Sequence, residues 1–300
     1  MQVLLIFLFL VCLAYGCAIA FAYIKIKNIY AAKNIPFSSL SKSQLFAFAI
    51  QIIKGLASLV WWALSKNKYT HQPLANSCLI VKNARQLKAP PVILCIHGFH
   101  ADGTCFWGMR KFLEENDCTT YAVDMGLPYV NLDNYIQRLS AQIDNILRAH
   151  PEQKLNIVAH SMGGLMTRLL LKHKPDYANH IDSIITLGSP HSGTQLVNNY
   201  FLTWMKSLFH VDSPFLKALP TLHELAPHTN VTTLASQHDL IVYPYPNAHL
   251  PNASNITVES LSHIGMLTEP HIHQFILDTL RARKINQLIS SPKEGQYAIK

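Results

Sequence analysis

Two patterns of hydrophobic spacing divide the chain. Up to about residue 68 the apolar positions come in long runs; from residue 76 they come in short runs separated by helical periods. Residues 3–24 are apolar apart from Tyr15 and Tyr23 and carry no charge, which is long enough to cross a bilayer. Ala18-Ile19-Ala20 offers a signal-cleavage site and Cys17 a weak lipoprotein site, but no Lys or Arg precedes the run, so an uncleaved anchor is expected. A second run spans 45–64. Its polar positions, with Gln44 and Ser65 at its borders, are Gln51, Lys54 and Ser58; they are spaced to trace one narrow helical face, and the run ends on Trp61 and Trp62. Three placements suit this helix: a second span, a helix lying in the membrane interface, or a helix packed on the rest of the protein.

The second pattern predicts an alternation of strands and helices. Pro91 to Ile96, Thr119 to Val123, Lys154 to Ala159, Ile181 to Leu187, Val231 to Ala235 and Ile256 to Glu259 read as strands. Helices are expected near Phe106 to Glu115, at Leu132 to Ala149 with Tyr135, Leu139, Ile143 and Ile146 on one face, at Met162 to His173, and at Pro270 to Lys284. This order argues for an α/β fold with a mostly parallel central sheet covered by helices on both faces. The expected organisation is an N-terminal membrane-anchoring region at 1–68, a catalytic domain at 76–284, and a tail at 285–300.

Charge sharpens the division. No Asp or Glu precedes Asp102, whereas ten Lys and Arg do, four of them (Lys25, Lys27, Lys33 and Lys42) between the two apolar runs; from residue 101 onward fifteen basic residues face seventeen acidic ones. A basic segment beside apolar ones suits a membrane surface, and no basic stripe with interleaved aromatics suggests nucleic acid. If both runs span, the positive-inside preference puts the lysines in the cytoplasm and the catalytic domain outside, in a bacterium the periplasm, and this inner-membrane, periplasm-facing placement is the one expected; if only the first spans, the same lysines favour a cytoplasmic domain. The six cysteines form no disulfide framework: Cys105 and Cys118 flank a predicted helix that separates them by roughly 18–20 Å, beyond the roughly 7 Å a disulfide spans.

The candidate chemistry centres on Ala159-His160-Ser161-Met162-Gly163-Gly164, between a buried-strand pattern and a helix. That is the setting of a nucleophile elbow, in which small residues two positions before and after the serine let the backbone turn sharply. A serine hydroxyl needs a base to take its proton. Asp239, in the loop after one late strand, and His263, after the last strand, follow in the order acid, then histidine. His271 and His273 are rivals, but both fall inside the predicted final helix. Acyl transfer also needs N–H donors for an oxyanion. Candidates are the backbone of Met162 and that of Phe99, in the loop Ile96-His97-Gly98-Phe99-His100, which His97 is expected to buttress. His271-Ile272-His273 is a lone HxH and makes no metal site by itself.

These segments, with Leu187-Gly188-Ser189-Pro190-His191-Ser192-Gly193-Thr194, resemble bacterial triacylglycerol lipases of the α/β-hydrolase superfamily, most of all the small lidless lipases, which also carry Ala before the nucleophile pair. The resemblance covers roughly residues 90–282. It implies Ser161 as nucleophile, His263 as base, Asp239 as acid, and Phe99 and Met162 as oxyanion donors, with a lipid or other ester as substrate, a membrane surface as partner, and no cofactor. Larger bacterial lipases carry calcium, a point the sequence leaves open. The first ninety residues and a longer stretch at 195–227 have no counterpart in the small enzymes. That insert, with Phe201, Trp204, Leu208, Phe209, Phe215 and Leu219, reads as apolar-faced helices serving as a lid or as plain packing. An acyltransferase or amidase with the same triad, and a catalytically silent membrane interaction module, are the alternatives.

Overall fold

The computed structural model describes residues 21–65, 90–99, 101–126, 132–198 and 203–290, with backbone alone at 54–65, 203–204 and 283–290. Six strands form one sheet: β1 (Val92–Ile96), β2 (Thr119–Val123), β3 (Leu155–His160), β4 (Ile181–Leu187), β5 (Asn230–Ser236) and β6 (Ser254–Val258), in the order β2-β1-β3-β4-β5-β6. All of these pairings are parallel.

Both faces of the sheet are covered, as the continuous apolar runs of β1 and β3 require. Alternate residues of β1 go to opposite sides. Val92, Leu94 and Ile96 join α4 (Leu132–Ala149) and α5 (Met162–His173), while Ile93 and Cys95 join α3 (Trp107–Glu115), the short α9 (Gly265–Thr268) and α10 (Pro270–Ser290). In α4 the buried Tyr135, Leu139, Ile143 and Ile146 are the face its spacing predicts. Cys95, Cys105 and Cys118 are buried and are not joined in disulfides with one another. The chain runs from β1 outward to β2, then crosses back past β1 to β3. Such a reversal opens a crevice at the carboxyl ends of β1 and β3, where parallel-sheet proteins bind ligands.

The N-terminal region departs from expectation. It contains α1 (21–32) and α2 (Lys42–Ser65). In α1 the buried Ile26 and Tyr30, one turn apart, pack with Val242, Tyr243, Tyr245 and Ala248. The Tyr30 hydroxyl accepts a hydrogen bond from Tyr245 N at 2.9 Å, and burial pushes its pKa far above the ordinary tyrosine value. In α2, Phe48 is 1 % exposed and Gln51 9 %. The opposite face is apolar and open, with Phe46 70 % and Ile53 62 % exposed. The polar stripe read from the sequence therefore turns its Gln51 toward protein and its apolar neighbours outward.

This corrects the expectation of a second span at 45–64. A helix whose first half is seated on the catalytic domain is not surrounded by lipid there. Among the described residues, no helix is long and apolar enough to cross a membrane. The expected anchor at 3–24 lies outside the described residues except for 21–24, which belong to α1, and the tail at 285–300 lies mostly outside them too.

Candidate active site

The turn between β3 and α5 holds Ser161 in the left-handed region at φ 54° and ψ −124°. A non-glycine residue held there costs about 1–3 kcal/mol and persists only where its surroundings fix it. Ser161 N donates to Leu187 O at 2.9 Å, anchoring the turn to the neighbouring strand. The serine, 9 % exposed, thus stands at the carboxyl end of the sheet and the N-terminus of α5, as its strand–turn–helix setting predicts.

Asp239 and His263 meet. His263 Nδ1 and Asp239 Oδ2 are 2.7 Å apart. The other carboxylate oxygen accepts from Ile241 N at 2.7 Å and Val242 N at 3.0 Å. Both oxygens are thereby engaged, and the imidazole carries its proton on Nδ1, leaving Nε2 as the acceptor a general base needs. Gly188, at φ +55°, passes beside the pair; a Cβ there would lie 3.1 Å from His263 Nδ1 and 3.2 Å from Asp239 Oδ2. The two rival histidines are elsewhere: both lie in α10, and His273 bonds to Leu267 O.

A residue whose role the sequence left unread, His160, joins His263 to the Ser161 turn. Its Nε2 donates to His263 O at 3.0 Å, and the two rings are 4.6 Å apart. Burial, with His263 and His97 nearby, holds its pKa well below the ordinary histidine value, so it stays neutral and keeps that donor. Its signal was its place next to Ser161.

The expected oxyanion loop lies against Ser161: a Cβ on Gly98 would stand 2.8 Å from Ser161 Cβ. His97 buttresses it as expected. Met125 N donates to His97 Nε2 at 2.9 Å, so Nδ1 bears the proton and donates to Gly98 O at 2.8 Å. The Gly98–Phe99 peptide is planar, so fixing its carbonyl also fixes the direction of the Phe99 N–H on the other side. Burial lowers the His97 pKa and keeps it neutral. The Met162 N–H stands at the first position of α5, where a helix offers it no partner of its own.

The insert is partly packed. It contains α6 (Thr203–Phe209), α7 (Pro214–Lys217) and α8 (Leu222–Leu225). Phe209, Leu216 and Leu219 are buried in the main core, and the Phe209 ring meets that of Phe99 edge to face at 6.0 Å. Arg168 of α5 fastens the insert: it donates to Pro220 O and His191 O at 2.9 Å each, and to Leu219 O. Burial lowers its pKa to about 10, which leaves it charged at neutral pH. Residues 199–202 and the Trp204 side chain lie outside the described residues. Among the described residues, no three His, Cys, Asp or Glu gather as a metal site.

Comparison with known proteins agrees with this fold. A family profile for the alpha/beta hydrolase fold matches residues 91–224. The chain is similar to triacylglycerol lipase 2 of Saccharomyces cerevisiae, 30 % identical over 100 residues that make up 31 % of this chain and 30 % of that one. It is also similar to a lecithin-cholesterol acyltransferase-like protein 4 of Arabidopsis thaliana, 22 % identical over 46 % of this chain and 25 % of that one. The match thus spans less than a third of either relative. Among solved structures, the mature lipase BlEst2 of Bacillus licheniformis superposes with a TM-score of 0.53 at 18 % identity, over 66 % of this chain and 94 % of that one. Lipase B of Aspergillus fumigatus gives 0.52 at 17 %, over 64 % and 52 %. These superpositions establish the fold.

Proposed function

We propose that this chain, which has the α/β-hydrolase fold, cleaves carboxylic esters, lipid esters foremost, through a covalent acyl-enzyme on Ser161. The observation that carries the reading is the Asp239–His263 bond on the same sheet end as a strained Ser161 turn. In this mechanism Ser161 Oγ attacks the ester carbonyl and His263 Nε2 takes its proton. The N–H groups of Phe99 and Met162 hold the oxyanion. The imidazolium, steadied by Asp239, then gives the proton to the leaving alcohol, and water repeats the sequence to release the acid. A lipid substrate is supported by the lipase among its relatives and by the Phe99–Phe209 contact beside the nucleophile, which offers an apolar wall to an acyl chain.

The acyltransferase among the relatives favours a second reading, in which an alcohol replaces water in the second half-reaction. The test is a series of p-nitrophenyl esters of graded chain length, beside a triglyceride and a phospholipid, with wild type and Ser161→Ala, in water and in water containing an acceptor alcohol. Turnover that vanishes in Ser161→Ala supports the reading. A wild type inert on every ester contradicts it, and ester product predominating over free acid selects the transferase.

The protein also binds a membrane surface in this proposal. The outward faces of α1 and α2 carry Phe21, Ile24, Leu45, Phe46 and Ile53. They belong to a hundred-residue region with ten basic residues and no acid, so the fitting occupant is an anionic bilayer surface. With Phe48 and Gln51 of α2 seated on protein, the apolar run ahead of α1 is the remaining candidate for an anchor. The lysines that follow it then hold the catalytic domain on the cytoplasmic side, the reverse of the two-span topology. Alkaline phosphatase or green fluorescent protein fused to the C-terminus reads the side directly.

A further inference from the structure

The segment that carries the catalytic base, residues 260–263, has little regular structure of its own. Ser260 is in the left-handed region at φ 56°, and it lies three residues before His263. What holds a chain there is the partnership of its peptide groups, and these can be followed one by one. Ser260 N donates to His238 Nδ1 at 3.1 Å. Ser260 O accepts from Gln51 Nε2 at 3.1 Å. Leu261 O accepts from Ser236 Oγ at 2.6 Å. Ser262 N donates to Gln51 Oε1 at 2.9 Å. His263 O accepts from His160 Nε2.

Gln51 thus spends both ends of its amide on this segment, from a helix more than two hundred residues away in sequence. A Cβ on Gly265 would lie 2.7 Å from Gln51 Oε1, so the amide fits closely over the turn. The other clamp on Ser260 depends on the N-terminal region as well. With Nδ1 accepting, His238 bears its proton on Nε2 and donates it to Ser38 O at 2.8 Å. Its ring is lined by Tyr23, Phe37 and Phe48.

We propose that Gln51 is a positioning residue for His263, so that the N-terminal helices are a working part of the catalytic site. The inference rests on the reading of Ser161, His263 and Asp239 as the triad. Gln51 touches no reacting atom. It fixes both peptide groups of the strained approach to the base, and thereby the distance and angle at which His263 Nε2 faces Ser161. Small misplacements of a catalytic group cost rate out of proportion to their size.

The test uses the full-length chain. Active sites are titrated with a fluorophosphonate, and kcat and KM for a p-nitrophenyl ester are measured per titrated site for wild type, Gln51→Met and Gln51→Glu. Met removes both bonds at similar volume; Glu keeps the acceptor for Ser262 N and loses the donor to Ser260 O. The expected result is a fall in kcat of about 10- to 100-fold for Gln51→Met, with KM unchanged, a parallel fall in the rate of phosphonylation, and an intermediate Gln51→Glu. A merely structural role lowers the number of titrated sites and the melting temperature but leaves kcat per site at the wild-type value; that result overturns the inference. If Gln51→Met does not fold, Gln51→Glu is decided by the same per-site kcat. A wild type without esterase activity, or a Ser161→Ala variant that retains it, overturns the triad reading beneath and is told apart from failure at Gln51 alone.

Discussion

His160 grips His263 by its main chain: His160 Nε2 bonds to His263 O at 3.0 Å, and the rings lie 4.6 Å apart. The residue before the proposed nucleophile therefore holds the main chain of the residue proposed to deprotonate it. His160→Gln, which keeps a donor, is expected to retain more turnover than His160→Leu, which leaves the His263 carbonyl unpaired. Steady-state kcat of the two variants checks this, and equal losses contradict it.

Asp239 fixes the tautomer of His263, because its second oxygen is the partner of Nδ1. Asp239→Asn places a group there that can present a donor to Nδ1, and it is expected to depress kcat by about 1,000-fold or more while the fold survives. Circular dichroism verifies folding and ester turnover verifies the loss. Near-normal turnover would assign the acid role to another residue.

The Phe209 ring meets that of Phe99, the proposed oxyanion donor. Phe209→Ala is expected to lower the ratio of long-chain to short-chain ester turnover, since it removes apolar wall where an acyl chain would lie. An unchanged ratio across a p-nitrophenyl ester series would leave Phe209 a packing residue only.

Stability is expected to fall on mild acidification. His97, His160 and His191 are buried, and desolvation lowers the pKa of each. The unfolded chain, with histidine values near about 6.5, therefore binds more protons than the folded one between those lowered values and about 6.5. The stability these groups contribute is fully present above that pH and is lost as the pH drops below it. Melting temperatures taken from about pH 7.5 down to about pH 5.5 should decrease; a flat or rising series contradicts the assignment of neutral buried histidines.

Much of this was legible from local spacing. The bounds of β2, β4, α4 and α5 coincide with those read from hydrophobic period, because each element buries a face whose period is written in consecutive residues. The nucleophile turn was equally local. Asp239 and His263 were found from chain order, and their meeting is a consequence of parallel strands that end side by side. Gln51 was not legible. Its bonds reach Ser260 and Ser262 across the whole chain, and within the sequence it looked like one member of a polar stripe on an apolar helix. The same helix suggested a membrane span because its outward face is apolar, and only the packing of Phe48 and Gln51 shows which face is covered. The short α7 and α8 carried signals that reading by period passes over: Ser213 caps α7 ahead of Pro214, and Thr221 with Glu224 forms a capping box at α8.

The outward face of α2 gives a direct test of membrane contact. Phe46→Ser combined with Ile53→Ser removes two apolar side chains from that face, and binding to vesicles of anionic lipid is expected to weaken by about 10-fold or more. Added salt should weaken wild-type binding as well, since the lysines act through screened charge. Sedimentation with vesicles measures both, and wild-type protein that stays in the supernatant refutes the contact.

The central claim is that Ser161 is the nucleophile, and covalent labelling tests it most directly. Full-length protein treated with a fluorophosphonate, digested and mapped by mass spectrometry should carry one phosphonyl group on the Ser161 peptide, with ester turnover lost in proportion to labelling and no labelling in Ser161→Ala. Labelling that persists in folded Ser161→Ala, or a wild type that hydrolyses esters while Ser161 stays unmodified, would contradict the account.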